Sequence, residues 1–521
     1  MMTIHVDCPR ENMTEQVSRI LQEGNETALI SFEQGAYHFR KEGAYCGNFY
    51  PSNNASGEKK VVFPILKKKN LIIDGNGSRF VFDDRVFPFV ILNSENITLR
   101  NFTIEFSFPR YYFGTVDRYD GDKLSIRMDR EKYPFSVENG NWKFPCGSET
   151  ISTVDRKVFL TNLTKRQVVY LFAGECTCCQ DHLAAGKMLA DVGEYENGAV
   201  LFISEKPERL LFEKGDQLLI SHDEGRENDI IFLENARNLT FENITIFSGA
   251  GMGIIGQLCT NIRIDGVNII PKEEDQIRSI TADGFHFVNC DGELVIRNCE
   301  LKRTLDDAVN IHGVYTICDK VLSEKQIVVK YHHVEQYGLI AYKKGDNVRI
   351  SDGVTMCEMG AARIADVSYD EERFSAVLTF EDSITGLIQE GSLIENPDRM
   401  PSIRMENNRF IDCPHVLVSS AQKTVIRHNF FDLSDCSLCV QDLIAFWYES
   451  GAVKDLLITD NDFTARGNSI VISSTRCPGS NKVHENIVIE NNRFAHSKEK
   501  AITVGAARNL TVQNNSFGAR I

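Results

Sequence analysis

Asn238-Leu-Thr-Phe-Glu-Asn-Ile-Thr-Ile246 is answered 23 residues later by Asn261-Ile-Arg-Ile-Asp-Gly-Val-Asn-Ile269. Each phrase alternates apolar and polar residues, meets Asn or Gly, and then resumes the alternation. The same wording opens at Asn70, Asn96, Glu293, Ser402, Thr424, Leu456, Asn486 and Asn509. Asn486 and Asn509 are again 23 residues apart, and two other intervals, Asn261 to Glu293 and Thr424 to Leu456, are 32. Fixed-period self-similarity marks a solenoid. Alternation marks short strands, and Asn and Gly tolerate the left-handed backbone of a tight corner. The pattern predicts a right-handed parallel β-helix. A sandwich of hairpins would not share register and wording ten times.

Two stretches break the repeat. Both carry strand-and-turn signals and share a phrase, Lys214-Gly-Asp-Gln-Leu-Leu-Ile-Ser221 and Lys344-Gly-Asp-Asn-Val-Arg-Ile-Ser351. A Gly-Asp turn entering an alternating strand predicts two inserted antiparallel β-barrels. The expected organisation is an N-terminal cap and first coils over 1–110, a barrel over 111–228, coils over 229–318, a second barrel over 319–400 and C-terminal coils over 401–521. Ahead of the first strand, Val17, Ile20 and Leu21 share one face of a short helix over 14–23, with Thr14 as its N-cap and Gly24 as its end. Such a helix covers the open end of a stacked sheet.

Composition narrows the function. The net charge of −16 argues against a nucleic-acid partner. No apolar run reaches the length of a membrane span, and the first residues lack a basic-then-apolar leader pattern. Fifteen cysteines, odd in number and scattered, fit reduced thiols. The cluster Cys176-Thr-Cys-Cys179, taken as standing without a second CxxC or an HxxxH, is not read as a zinc site. Asp74-Gly-Asn-Gly-Ser78 lacks the distal Glu of a calcium loop and reads as a turn. No metal and no cofactor is expected. The two barrels offer surfaces on which a second copy of the chain could associate.

Chemistry concentrates in Thr281-Ala-Asp-Gly-Phe-His-Phe287 and Leu305-Asp-Asp-Ala-Val-Asn-Ile-His-Gly313. Asp283 precedes Asp306 by 23 residues, one coil of the helix, so the two should stack about 4.8 Å apart. Asp306 and Asp307 can then share a site only at a bend, because adjacent strand residues face opposite ways. Crowding three carboxylates raises at least one pKa. A neutral acid beside ionised carboxylates is what glycoside hydrolysis needs. Corner aspartates that merely bond backbone amides, or a calcium site, are the alternatives. The histidines His286 and His312 suit calcium poorly.

These phrases, with the flanking barrels and Tyr448-Glu-Ser-Gly451 downstream, resemble glycoside hydrolase family 110, inverting enzymes that remove terminal α-1,3-linked galactose, including that of the blood group B determinant. The resemblance spans nearly the whole chain. It implies Asp306 as general acid and Asp283 with Asp307 as the pair that holds and activates water. It also implies a galactose-terminated oligosaccharide or glycoconjugate as substrate. His286, Asn310 and His312 would orient sugar hydroxyls or the carboxylates, and Glu449 would bind galactose hydroxyls. Trp447 is either a platform for a sugar face or ordinary packing. A more distant likeness to the polygalacturonases lacks their Gly-His-Gly and Arg-Ile-Lys phrases. A catalytically silent carbohydrate-binding β-helix is the remaining alternative, which the crowded acids disfavour.

Overall fold

The computed structural model describes residues 2–521 except 8–11, 25–27, 153–157, 166, 172–183, 197, 207, 209, 222–225, 371–372, 434–435, 443, 445, 465–466, 475–482 and 520. Successive coils add one strand to each of two long sheets. One runs through Lys69–Phe82, Glu95–Phe106, Arg237–Ile246 and Thr260–Ile269, and continues to Ala507–Gln513, with every coil-to-coil pair parallel. The other contains Phe87–Leu92, Ile231–Glu234, Ile254–Gln257, Phe285–Val288, Val309–Val314 and Val416–Val418, also in parallel register. The chain is a parallel β-helix.

The asparagines form the corners. Asn70, Asn96, Asn238 and Asn261 all have φ between 53° and 58°, in the left-handed region that Asn tolerates better than other side chains. Their amides stack, Asn96 donating to Asn70 at 2.7 Å, Asn238 to Asn96 at 2.8 Å and Asn261 to Asn238 at 3.1 Å. A buried ladder links Asn408, Asn429, Asn461, Asn492 and Asn515, each amide donating to the next at 2.9–3.0 Å. Beside it Phe410, Phe431, Phe463, Phe494 and Phe517 stack with centroids 4.7–5.2 Å apart. One aliphatic and aromatic core runs along the solenoid.

Between coils the chain leaves twice to form closed barrels. The first comprises seven strands between Tyr112 and Ser221, and the second six between Thr316 and Glu395. The solenoid resumes in register across each: Ile97 pairs with Leu239, and Leu294 with Ile403. The first barrel differs from the antiparallel expectation in one pair, Gln167–Leu171 with Ala184–Tyr195, which run parallel. Twelve residues separate those strands, room for the longer return that a parallel pair needs.

The helix forms as expected over Thr14–Glu23 and buries Val17 and Leu21 against the end of the core. Its cap does not. Met13 holds the N-cap position without a side-chain bond, and Thr14 lies inside the helix, its hydroxyl donating to Arg40 O at 2.8 Å. The Asn12 side chain instead accepts from the Thr14 N–H at 3.1 Å. Asp74 acts as turn and corner, accepting from the Asn76 N–H and from Arg100. Cys176-Thr-Cys-Cys179 lies outside the described residues. No helix among the described residues is long and apolar enough to cross a membrane.

Candidate active site

Phe285–Val288 and Val309–Val314 are neighbouring rungs, paired Phe285 to Val309 and His286 to Asn310. Alternation sends Phe285, Phe287, Val309 and Ile311 into the core and His286, Asn310 and His312 to the opposite face. The register offset is therefore 24, one more than the interval of the 238 and 261 phrases, and it sets Asp283 beneath Asp307. The Gly284 N–H donates to Asp307 O at 2.8 Å. Gly284 is required here because a Cβ would meet Ala308 O at 2.5 Å. Leu305 and Asp306 form the bend that was needed for both aspartates to serve one cleft.

Each carboxylate has its own partner. Asp283 Oδ2 lies 2.7 Å from His286 Nδ1. Asp307 Oδ1 lies 2.8 Å from His415 Nε2. Asp306 Oδ2 accepts from the Arg226 guanidinium. Asp283 and Asp307 are almost fully buried, whereas the Asp306 side chain is 40% exposed, so the cluster opens to solvent through Asp306.

Burial pushes all three carboxyls up. Asp307 reaches about 7, the His415 charge opposing and the Asp283 and Asp306 charges adding to the shift. Asp283 is raised by burial, offset by Arg226, His415 and His312. Asp306 is raised by burial and then by Asp283, with Arg226 pulling it back. His415 is pushed up to about 10 by the acids it faces, against its own burial. His286 is held well below the usual imidazole range by burial and by His312.

The walls come from four separate segments. Arg226, at the exit of the first barrel, also donates to Asn53 O at 3.3 Å and has Trp447 5.7 Å from its charge. Asn53 donates through its side chain to Glu449 Oε1 at 3.4 Å and through its N–H to Glu335 O at 2.9 Å. Glu449 is delivered by an antiparallel bridge, Gly313 to Ser450 and Val314 to Glu449. Behind that bridge Asp442 accepts from the Gly451 N–H at 3.0 Å and from the Tyr315 hydroxyl at 3.1 Å. Glu449 Oε1 also receives the Asn310 amide at 3.4 Å and lies 3.5 Å from His312 Nε2. Trp447 is half-buried, packed on His333 and Phe446.

The structure thus brings Asp283, Asp306, Asp307, His286, Asn310, His312 and Glu449 into one cleft, with Trp447 at its wall over Arg226. Sequence reading missed Arg226, His415, Asn53 and Asp229. Asp229 is sealed, with Oδ1 accepting from the Met252 N–H and burial raising it to about 7. His415 had a usable signal: it sits one rung above Ala308, whose N–H donates to His415 O, once the inserted barrel is removed from the count. A second CxxC spacing, Cys436-Ser-Leu-Cys439, was also overlooked. Its Cys436 thiol is held down by Cys439 and by the His415 charge.

Fold and cleft together define a parallel β-helix with converging carboxylates, equipment for general acid–base hydrolysis. No family model matches the chain. Curated relatives do. It is 27% identical to alpha-1,3-galactosidase A of Shewanella woodyi over 509 residues, covering 94% of this chain and 80% of the relative. It is 28% identical to alpha-1,3-galactosidase B of Bacteroides thetaiotaomicron over 458 residues, covering 85% and 71%. Alpha-1,3-galactosidase B of Parabacteroides distasonis is 26% identical over 96% of this chain and 84% of the relative. These relatives bear out the resemblance read from the Asp-Gly-Phe-His-Phe and Leu-Asp-Asp phrases. Among solved structures, a mutant tailspike protein of E. coli bacteriophage HK620 in complex with pentasaccharide matches 98% of this chain and 57% of its own, at TM-score 0.38 and 9% identity. An exopolygalacturonase from Thermotoga maritima matches 100% and 92%, at TM-score 0.34 and 10% identity.

Proposed function

We propose that this chain is an exo-acting glycoside hydrolase that releases terminal α-1,3-linked galactose with inversion. The observation that carries the proposal is the convergence of Asp283, Asp306 and Asp307 from successive rungs, each beside a different cation or imidazole. Asp306 is the acid for the leaving oxygen. Its side chain alone among the three is substantially exposed, and burial raises its hold on a proton. Asp283 and Asp307 hold and activate the attacking water. One rung of about 4.8 Å plus side-chain reach suits the roughly 6.5–9.5 Å between carboxyls that inversion requires. Glu449, with Asn310 and Asn53 donating to one of its oxygens, receives galactose hydroxyls, and Trp447 contributes an apolar face at the cleft wall.

The polygalacturonase-like alternative is less well supported, because a polyuronate would prefer a basic cleft and this one holds four carboxylates. The test is to offer galactose-α-1,3-galactose, its α-1,4 isomer and polygalacturonate to the protein and measure released sugar. Galactose from the α-1,3 disaccharide is expected. Release from polygalacturonate alone would overturn the proposal.

A further inference from the structure

Behind the acids runs an unbroken line of contacts. His312 Nδ1 lies 2.6 Å from Gly313 O. A carbonyl can only accept, so that nitrogen carries a hydrogen, and in neutral His312 the Nε2 is bare. His312 Nε2 lies 3.2 Å from His286 Nε2, which must then carry the hydrogen between them. His286 Nδ1 is left bare in the neutral ring, yet it lies 2.7 Å from Asp283 Oδ2. That contact requires a proton, on the carboxyl or on the ring. Both rings are almost fully buried. The charged groups that face the two rings are Asp283, Asp306, Arg226 and Glu449.

From this geometry we propose that Asp283, His286 and His312 form a proton relay that carries the attacking water's proton away from the acid cluster to the side of Glu449. The proposal rests on the hydrolase reading above. As water's oxygen bonds to the anomeric carbon, Asp306 gives its proton to the departing glycosidic oxygen. Water's own proton passes to the Asp283 oxygen not held by His286. The Oδ2 proton moves to His286 Nδ1, and the His286 Nε2 proton moves to His312 Nε2. One O–H bond is lost from water, and every later transfer breaks one bond as it makes the next. The positive charge ends on His312, 3.5 Å from the Glu449 carboxylate. A carboxyl that begins protonated can thereby act as a base. The burial that raises Asp283 and lowers His286 favours this starting arrangement. His286 and His312 are positioning residues that act through Asp283.

Two measurements test the relay. In wild-type protein labelled with 15N-histidine, His312 should show a protonated Nδ1, and a strongly downfield imidazole proton should be present and vanish in His286→Gln. With galactose-α-1,3-galactose, His286→Gln should lose kcat by about 10²-fold with KM little changed and with a pH profile of altered shape. His312→Gln should reproduce that altered shape. A His286 ring protonated only at Nδ1 beside a neutral His312, or a folded His286→Gln enzyme whose pH profile overlays the wild type, would overturn the relay. Wild-type protein inactive on every α-galactoside would instead overturn the proposed reaction. The NMR result would still decide whether the three-residue proton chain exists.

Discussion

The ladder Asn408–Asn429–Asn461–Asn492–Asn515 and the step from Asp283 to Asp307 are built by the same operation, one polar residue stacked on its equivalent a coil away. An amide both donates and accepts, so each asparagine satisfies the next and the stack closes on itself. An ionised carboxylate only accepts. Stacked carboxylates repel and must be supplied with protons or cations from outside the coil. Here Arg226 and His415 supply the cations, the latter from beyond an inserted barrel, and Asp283 shares a proton with His286. Identical stacking thus gives an inert corner in one place and a set of poised acids in the other. The difference lies in which lone pairs and hydrogens the side chain brings.

Breaking the acid step should act on rate and breaking the amide ladder on stability. Asp306→Asn should lower kcat on galactose-α-1,3-galactose by about 10³-fold, roughly 4 kcal/mol of barrier, while the melting temperature stays near that of the wild type. A large loss of stability would place Asp306 among the structural corners instead. Asn461→Ala removes the donor to Ile426 O and Thr459 O and cuts the ladder on both sides. It should cost about 3 kcal/mol in urea unfolding and leave kcat of the folded enzyme unchanged.

Asp229→Asn converts a sealed acid to an amide and sharpens the comparison through pH. Because burial raises Asp229 to about 7 in the folded state, its contribution to stability is fully present below its unfolded value near 3.9 and is lost as pH rises to about 7. The variant should match wild-type thermal stability near pH 4 and exceed it at pH 8. A difference independent of pH would contradict this. The smallest effect belongs to Arg493→Ala. It removes an exposed ion pair with Asp462 at the ladder's rim and should leave the midpoint of urea unfolding nearly unchanged.

Much of this was legible in the chain. The Asn-bearing phrases exposed the solenoid because left-handed corners restrict residue choice so strongly. The acids and His286, Asn310 and His312 were legible because alternation fixes which side chains share a face. The groups that temper the acids were not. His415 lies 107 residues after its neighbour Ala308 only because a barrel intervenes, as Val416 does after its partner Val309. Arg226 and Asn53 belong to segments with no repeat, so no periodicity announces where their side chains meet. The Thr14 cap failed for a local reason: Asn12 already accepts from the Thr14 N–H.

The most direct test of the central claim follows the anomeric proton signals of galactose as wild-type protein hydrolyses galactose-α-1,3-galactose. Water activated on the face opposite Asp306 predicts β-galactose first, with the α anomer growing only as mutarotation proceeds. Initial appearance of α-galactose would contradict the assignment of Asp283 and Asp307 to water and of Asp306 to the leaving oxygen.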